Sequence, residues 1–543
     1  MRRTLLASAV LLALAPIASS ASTTIVVDGK ECPLQAGTAF KAAGENAVIK
    51  GDADLALRPA QKGFDLAAAK TLTVNIEGTN TYGIVSMLEG VKFTAEKATL
   101  KITSVSESGR GLTVIGPGSL TLDAAVVDLT AVAKDGDLMT GLKVERSNQA
   151  RLTVGRSGKG TSTTITVTNE KASAVAVGGT TNGNVTILGE QINLSAKGGK
   201  YAYAVSCDTA DAIVVGDQNT KNLEVTAVAG TNSALGVIAW AGVTQLDARE
   251  INITANGSTA RGIETGGGAV KIDNASSILK ISVGGEKDVA GIAAIGNNSS
   301  VEIQADVIDI TATGDPGAVG IHSQSDDETS APKENAASIN IKANQTNVTS
   351  CGLGVSSYSG SRMVIDSGLT ITAPTAIEAR GRSELRINPN KDKTVVINGD
   401  IAFSTPGPSD NSGSVIDADV VLNLTGEGSS WTGNLYKGYP TDQAEENKKV
   451  TTGLTLNVED GARWVPTAFK EGTDESKLKD TLAVSKLGLN DGVVEITGSD
   501  INAAVDNMTG TGTVKLATDG ESAGKLRNCK TITRSVSPPD VVS

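Results

Sequence analysis

Aromatic residues and histidine are both scarce in this sequence of 543 residues. It contains three Trp, six Tyr, five Phe and a single His. So few large rings cannot fill a wide core, and the sequence therefore predicts a thin, repetitive interior lined by Val, Ile, Leu and Ala. A single histidine also nearly excludes catalysis by several histidines and His-rich metal sites.

Basic residues are too few to outweigh the acidic ones. The chain has 48 Lys and Arg against 60 Asp and Glu, a net charge of −12, and no basic blocks. Because nucleic-acid binding depends on neutralising phosphates, we expect no nucleic-acid partner. The hydrophobic content of 39% is nevertheless too high for a generally disordered chain.

The four cysteines lie too far apart in sequence to form a metal-binding motif. Cys32, Cys207, Cys351 and Cys529 also cannot make a disulfide scaffold for more than 500 residues. We therefore expect isolated thiols, and the sequence predicts neither a metal nor a cofactor.

The first 21 residues are typical of a secretory signal. Arg2 and Arg3 precede an apolar stretch from Leu5 to Ile17, and small residues end the segment at position 21. A general secretory signal is favoured over a twin-arginine signal. No later run of 18 apolar residues exists, so no transmembrane segment is expected in this chain.

Glycine, in contrast, is abundant, with 61 residues, and many glycines belong to a repeat. A Gly-aliphatic pair recurs with a period near 30, and Ala replaces Gly in some copies. The pairs are Gly83-Ile84, Gly111-Leu112, Gly141-Leu142, Ala174-Val175, Ala204-Val205, Gly236-Val237, Gly262-Ile263, Gly291-Ile292, Gly320-Ile321, Gly354-Val355 and Ala376-Ile377.

Two further elements share this period. The second is exemplified by Leu223–Ala227, Ile251–Ala255, Ile308–Ala312 and Ile339–Ala343, and the third by Ala269–Ile272 and Val301–Gln304. All three alternate apolar and polar residues with period two and are separated by Gly, Asn, Asp and Ser. Each repeat therefore predicts three short β-strands.

This pattern predicts an all-β fold, a right-handed parallel β-helix with about 30 residues and three short strands per coil. Helical repeats, leucine-rich repeats and propellers lack support, since their periodicities and signature residues are missing. If successive rungs are about 4.8 Å apart, about 15 coils would form a rod roughly 70 Å long. Cys207 and Cys351 would lie roughly 24 Å apart, too far for a disulfide.

The domain organisation follows from the limits of the repeat. We expect a signal peptide at 1–21, an N-terminal cap at 22–70, the repetitive β-helix at 71–400, further coils at 401–520 and an irregular tail at 521–543. The cap contains a predicted helical stretch from Phe64 to Lys70.

The later coils carry Trp431 and Trp464, followed by LGLNDGVVEI (487–496) and DNMTGTGTVKL (506–516). In this order, after a signal peptide and Gly-Ile coils, they resemble the passenger of a Gram-negative autotransporter of the pertactin-like class. The resemblance covers about residues 1–520. It implies that 401–520 resembles an autochaperone region, whose last rungs assist folding outside the cell.

The sequence departs from that family at its end. Such passengers precede a translocator barrel in the outer membrane, whereas this sequence stops at Ser543 after a basic, proline-containing segment. We expect that the barrel has been lost through a frameshift or gene fragmentation. The chain would then reach the cell surface or medium only if a translocator is supplied, and otherwise the periplasm.

Candidate chemistry is confined to one loop. His322 follows a Gly-Ile pair, and Asp326, Asp327 and Glu328 come shortly after it. β-Helix polysaccharide hydrolases use clustered carboxylates and a histidine, which makes these four the candidate catalytic residues. Because the acids are consecutive and not spread over successive rungs, a solvated acidic loop is favoured.

Tyr201 and Tyr203 lie on one face of a strand, next to the coil that carries Trp240. They are expected to pack in the core, although exposed rings would be able to stack on sugars.

Two functions remain open for the chain. We favour a non-enzymatic exported rod for adhesion, with a host or bacterial surface protein or glycan as partner and the export machinery as a transient one. The alternative is a carbohydrate-active β-helix, a polysaccharide hydrolase or lyase.

Overall fold

The computed structural model describes residues 24–27, 30–32, 40–41, 46–51, 55–57, 64–65, 71–81, 84–86, 91–115, 118–145, 149–179, 183–208, 212–326, 334–404, 418–437, 453–467, 482–498, 501–516, 525–527 and 531–534. Every regular element within these ranges is a β-strand, so the predicted all-β class is confirmed. The predicted helix at 64–70 is wrong where it begins, because Phe64–Asp65 is a strand. Residues 66–70 lie outside the described ranges.

The first ten strands include two long ones, β9 and β10, that turn corners without interruption. They are β1 Thr24–Val27, β2 Lys30–Cys32, β3 Phe40–Lys41, β4 Asn46–Gly51, β5 Leu55–Leu57, β6 Phe64–Asp65, β7 Thr71–Thr81, β8 Ile84–Ser86, β9 Val91–Ile115 and β10 Ser119–Ala133.

The central strands are short and regular, with five to eight residues each. They are β11 Leu138–Glu145, β12 Ala150–Val154, β13 Ser162–Asn169, β14 Ser173–Gly179, β15 Gly183–Ile187, β16 Gln191–Gly198, β17 Tyr201–Cys207, β18 Ala212–Gly216, β19 Asn222–Ala229, β20 Ser233–Ala239, β21 Val243–Asp247, β22 Glu250–Asn256, β23 Thr259–Thr265, β24 Ala269–Asp273, β25 Ile278–Gly284 and β26 Val289–Ile295.

The remaining strands vary more in length. They are β27 Ser300–Thr313, β28 Val319–Gln324, β29 Ser338–Ser350, β30 Leu353–Tyr358, β31 Arg362–Arg380, β32 Glu384–Ile387, β33 Val395–Ser404, β34 Asp419–Thr425, β35 Ser430–Thr432, β36 Leu435–Lys437, β37 Gly453–Glu459, β38 Arg463–Val465, β39 Val484–Ile496, β40 Asn502–Leu516, β41 Lys525–Arg527 and β42 Thr531–Arg534.

From β11 to β24, each strand pairs in parallel with the strand three places later in the chain. The pairs β14–β17–β20–β23–β26 form what we call the Gly series, because its strands carry the Gly-aliphatic repeat. The pairs β13–β16–β19–β22–β25 form the Thr series. The pairs β12–β15–β18–β21–β24 form the Val series. Long strands such as β27 and β29 continue two of these series at once. β1 differs, since it pairs antiparallel with both β2 and β4.

The register corrects two details of the predicted repeat. Thr140 pairs with Val175 and Leu142 with Val177, so Ala176-Val177, and not Ala174-Val175, follows Gly141-Leu142. Ile339 pairs with Val301, so Ile339–Ala343 belongs to the Val series and not to the second element. The other Gly-aliphatic pairs downstream of Ala204 lie in register as predicted.

The core lies between the three series and is built from their inward-facing aliphatic residues. Within one repeat, the buried core residues are Ile251 and Ile253 of the Thr series, Ile263 of the Gly series, and Val270 and Ile272 of the Val series. No disulfide joins Cys207 and Cys351, as predicted.

Two tryptophans widen the core near its C-terminal end. Trp431 in β35 and Trp464 in β38 are buried and stacked, with ring centroids 5.1 Å apart and an interplanar angle of 4°. Their indole nitrogens donate to the carbonyl oxygens of Gly399 at 3.0 Å and Gly433 at 3.3 Å. Each buried donor is thereby satisfied by a backbone carbonyl of the preceding repeat.

The repeated glycine marks a sharp bend in the Gly series. The paired register passes from Arg261–Ala290 to Ile263–Ile292 and omits Gly262 and Gly291. A Cβ on Gly262 would lie 2.3 Å from Ile281 Cγ2 and 2.6 Å from the carbonyl oxygen of Gly291. The close approach of the neighbouring backbone therefore favours glycine at position 262, where any Cβ would require its neighbours to shift.

We expect Gly262→Ala to lower the free energy of unfolding by about 1–3 kcal/mol, because the new methyl group overpacks the bend. Gly317→Ala is the matched control, since its Cβ would meet only Asp315 at an ordinary 3.5 Å. Urea denaturation of both variants measures the difference. Equal stability of the two variants would contradict the overpacking explanation.

Candidate functional site

The bend brings outward residues on its two sides together on the outer face of the Gly series. Arg261, just before the bend, contacts Glu264, which follows the glycine by two. Ile238 and Ala293, which follow their glycines by two, are fully buried although they lie outside the main core cluster. We call this outer surface, from β17 to β31, the Gly-series groove.

An ion-pair centre spans the groove at β23. Arg261, before the bend, donates from Nη1 to Glu264 Oε1 at 2.6 Å, and Glu264 lies after the bend. The second nitrogen, Nη2, donates to Asp288 Oδ2 at 2.5 Å. The side chains of Arg261 and Glu264 are 14% and 7% exposed, whereas that of Asp288 is 61% exposed.

Burial raises the pKa of Glu264, and the negative charge of Asp288 raises it further, although Arg261 partly offsets both effects. One guanidinium thus holds two carboxylates in different environments. Such a pair is able to supply a proton from Glu264 and a negative charge from Asp288. Both Nη atoms of Arg261 are thus engaged in ion pairs, whereas its Nε atom is buried without a hydrogen-bond partner.

His322 of β28 lies in the same outer column, with Ala293 between it and Glu264. The hydrogen-bond network assigns the imidazole proton to Nε2, which donates to Gln324 Oε1 at 3.3 Å, while Nδ1 accepts from the Ser356 hydroxyl at 2.7 Å. The ring also packs edge-on against Tyr358, with centroids 5.1 Å apart. Burial, and then the charge of Arg261, lower the pKa of His322 to about 4.

The low pKa of His322 predicts a pH dependence of stability. In the unfolded chain the ring takes up a proton near its ordinary pKa of 6.5, but in the folded protein only near 4. Stability is therefore lost as the pH falls from 6.5 to 4, by about 3 kcal/mol in total. We expect His322→Asn to remove this part of the slope in denaturation curves across that window. An unchanged slope would show that His322 titrates normally.

Asp326 of the acidic loop contacts the preceding turn and not His322. Asp326 Oδ2 accepts a hydrogen bond from the backbone N–H of Asn297 at 3.0 Å and so supports the preceding turn. Among the described residues, no hydrogen bond or ion pair joins Asp326 to His322. Asp327 and Glu328 lie outside the described residues.

The aromatic residues near the N-terminal end of the groove face outwards. Tyr201 is 36% exposed, and neither Tyr201 nor Tyr203 belongs to the buried core, so the predicted packing of these two tyrosines in the core is wrong. Trp240 is 49% exposed. Tyr201 and Tyr203 lie before the bend with ring centroids 6.3 Å apart, and Trp240 follows the bend in the next rung. Burial, and the nearby Tyr201, Glu264 and Asp208, raise the pKa of Tyr203, whose hydroxyl therefore stays protonated.

Towards the C-terminal end of the groove, Tyr358 contacts Glu378 and Arg380. Tyr358 donates its hydroxyl to Glu378 Oε2 at 2.7 Å, and the guanidinium carbon of Arg380 lies 5.7 Å from the centre of the Tyr358 ring. Burial and the charge of Glu378 raise the pKa of Tyr358. These contacts occupy the polar atoms of Tyr358 and make it a structural wall beside His322.

The outer face of the Thr series carries a continuous row of hydroxyl groups. In ten successive rungs, one outward column contains only Thr or Ser, all partly or fully exposed. We call this row the hydroxyl ladder. Its members are Thr103, Thr130, Thr166, Ser195, Thr226, Thr254, Ser282, Thr311, Thr349 and Thr372.

Metal binding has no support among the described residues, where no group of three His, Cys, Asp or Glu side chains converges.

A shallow depression of about 430 Å³ lies on the outer face of the Val series, away from the groove. Its Lys271 and Glu302 form an ion pair of 2.9 Å, and Asn390 donates to Asp366 Oδ2 at 2.7 Å. Lys271 and Glu302 are exposed and paired with each other, whereas Asp366 is half-buried and its Oδ1 atom has no hydrogen-bond partner. No helix among the described residues is both long and apolar enough to cross a membrane.

Comparison with known proteins gives no relative for this chain. No protein-family model matches it, and no curated protein or solved structure is significantly similar to it.

Proposed function

We propose that this chain is an exported, rod-shaped adhesion protein that resembles an autotransporter passenger of the pertactin-like class. Its fold is a right-handed parallel β-helix with about 30 residues and three short strands per coil. The rod acts at the cell surface or in the medium when a translocator is supplied, and otherwise in the periplasm. Its partner is a host or bacterial surface protein or glycan.

The strand pairing supports the proposed β-helix. Consecutive strands belong to three different series, and each series is parallel and in register over successive repeats. A chain that winds through three series in turn must advance by one rung per repeat. Crossovers between parallel strands are right-handed in almost all proteins, which supports the proposed hand.

The hydroxyl ladder is the observation that carries the adhesive function. The neighbouring outward column includes Val105, Val132 and Val228, so aliphatic β-branched residues are accepted on this face. The ladder nevertheless keeps a hydroxyl in ten successive rungs, and strand propensity alone does not explain that selection. None of the ten hydroxyls has a side-chain hydrogen bond within the described part of the chain, so all are available to a partner.

Binding of the purified chain to cells tests the adhesive function. We expect the unmodified protein to bind and the triple variant Thr226→Lys, Thr254→Lys and Thr311→Lys to lose at least about tenfold in affinity. The matched control, Thr153→Lys, Thr186→Lys and Gln245→Lys, adds the same charge to the outer face of the Val series. Equal loss in both variants, or no binding by the unmodified chain, would refute the role of the ladder.

The second candidate function, a carbohydrate-active enzyme, is favoured by one specific arrangement. Glu264 and Asp288 converge on Arg261 in the groove, and the raised pKa of Glu264 suits a general acid. Turnover of neutral and acidic polysaccharides, measured as new reducing ends or unsaturated products, tests this candidate. Cleavage that is abolished by Glu264→Gln or Asp288→Asn would establish the enzyme in place of the adhesin.

A further inference from the structure

We propose that the aromatic end of the Gly-series groove binds a neutral glycan, with a sugar ring stacked on Trp240 and neighbouring rings against Tyr201 and Tyr203. This inference deepens the proposed adhesive function and rests on it, since it names the chemical class of the partner. It concerns a different face from the hydroxyl ladder.

Trp240 is an exposed ring held at one edge. A Cβ on Gly266 would lie 2.4 Å from Trp240 Cε3 and 2.6 Å from Cζ3, so this edge of the indole ring packs against Gly266. The residue nevertheless remains 49% exposed. An exposed flat ring that is fixed along one edge suits stacking against the apolar face of a sugar.

The two tyrosines lie on the other side of the bend from Trp240. The backbone N–H of Trp240 donates to the carbonyl oxygen of Cys207 at 2.9 Å, which places Trp240 next to Asp208, five positions along the chain from Tyr203. Five positions correspond to about 16 Å of extended strand, interrupted by the bend. The proposed ligand spans the surface between the tyrosines and the indole ring.

The polar groups of this region match sugar hydroxyls. The Ser206 hydroxyl donates to Asp208 Oδ1 at 2.5 Å, which orients that carboxylate beside Trp240. Tyr203 keeps its proton at neutral pH and is able to donate to a sugar oxygen. Fixed carboxylate and phenol groups next to exposed rings are the combination that orients a polar ligand with an apolar face.

The charges select a neutral ligand. Asp208, Glu264 and Asp288 all lie around this part of the groove, whereas both Nη atoms of Arg261 are already held by carboxylates. An acidic sugar would meet uncompensated negative charge and find no available guanidinium nitrogen in this ion-pair centre. Polymers of uronic acids are therefore excluded on electrostatic grounds.

Tryptophan fluorescence gives a specific readout of this site. The chain has three tryptophans, and Trp431 and Trp464 are fully buried and stacked in the core. Titration of the full chain with short oligomers of glucose, N-acetylglucosamine, galactose or mannose is expected to change the emission of Trp240 saturably. Oligogalacturonate serves as the acidic comparison and is expected to produce no saturable change.

Two variants and one control separate stacking from folding. Trp240→Ala is expected to weaken neutral-glycan binding, measured by calorimetry, at least about tenfold. Gly266→Val keeps the indole but displaces it from its seat, and we expect a comparable loss of affinity. Leu138→Ala removes another exposed hydrophobic side chain, 39% exposed, and is expected to leave binding unchanged.

The outcomes distinguish this inference from the adhesive function. No binding of any neutral oligomer, or equal binding of the Trp240→Ala variant, would overturn the glycan site even if the chain still adheres to cells. Self-association that Trp240→Ala abolishes, seen by sedimentation, would overturn it in favour of a contact between copies. If sugars bind through Trp240 but cells are not bound, the glycan site stands and the adhesive function fails.

Discussion

Replacing Trp464 by alanine is expected to lower the free energy of unfolding by about 3–5 kcal/mol. The residue is 1% exposed, and its removal leaves a large cavity beside Trp431 at the C-terminal end of the core. The substitution also removes the ring stacking and the hydrogen bond to the carbonyl oxygen of Gly433. Urea denaturation followed by near-ultraviolet circular dichroism measures the loss.

Trp240→Ala provides the control for this effect. It deletes the same side chain from a position that is 49% exposed, and we expect a change within about 0.5 kcal/mol. If the two variants lose equal stability, Trp464 does not occupy the core as described.

Replacing Arg261 by methionine is expected to cost about 3–5 kcal/mol at neutral pH. The variant leaves Glu264, whose side chain is 7% exposed, as a buried carboxylate without its cation. Removing one partner of a buried pair is more costly than removing both, because the remaining charge is desolvated but not compensated.

The same variant is expected to recover stability as the pH falls. Burial raises the folded pKa of Glu264 above its unfolded value, so its contribution to stability is present at acidic pH and is lost as the pH rises through the folded pKa. Without Arg261 the folded pKa rises further, and the loss extends towards neutral pH. Denaturant unfolding at several pH values measures this shift.

The double variant Arg261→Met and Glu264→Gln separates the effect of the buried charge on stability from the effect of lost packing. The double variant has no buried charge at position 264, and we expect it to regain most of the lost stability with a flat pH dependence. A double variant as unstable as the single one would show that Arg261 acts through packing alone.

The main features of the fold were readable from sequence because the repeat is local. The approach of the next backbone favours glycine at most bends, as at Gly262, and alanine stands at the others, so these small-aliphatic pairs mark the repeats directly. Alternation of apolar and polar residues then predicts which side of each strand faces the core. These two signals predict strands and their order without any knowledge of side-chain contacts.

The two register errors have physical causes. Ala174-Val175-Ala176-Val177 contains the small-aliphatic pair twice, two residues apart, and period-two alternation fits either choice. Ile339–Ala343 follows the same alternating pattern in the Val series that Ile308–Ala312 follows in the Thr series. Only the stacking of neighbouring rungs decides which series a strand joins.

The candidate site was harder to predict, since its properties arise between rungs. His322 was found because it is the only histidine, but nothing in the sequence shows that its neighbours bury it. Arg261 and Glu264 look like ordinary outward polar residues in the segment Arg261-Gly262-Ile263-Glu264, and only the bend brings them together. Tyr203 was assigned to the core because alternation indicates two faces but does not say which is inside.

Distances along the hydroxyl ladder test the central claim, that the chain advances by one rung per repeat. Spin labels are placed on cysteines at Thr166 and Ser282, or at Thr166 and Thr372, in a background in which all four native cysteines are replaced by serine or alanine. Pulsed electron paramagnetic resonance then measures each separation. The register puts these pairs four and seven rungs apart, and we expect distances of about 19 Å and about 34 Å. A distance from Thr166 to Thr372 no longer than that to Ser282 would contradict the stacked coil.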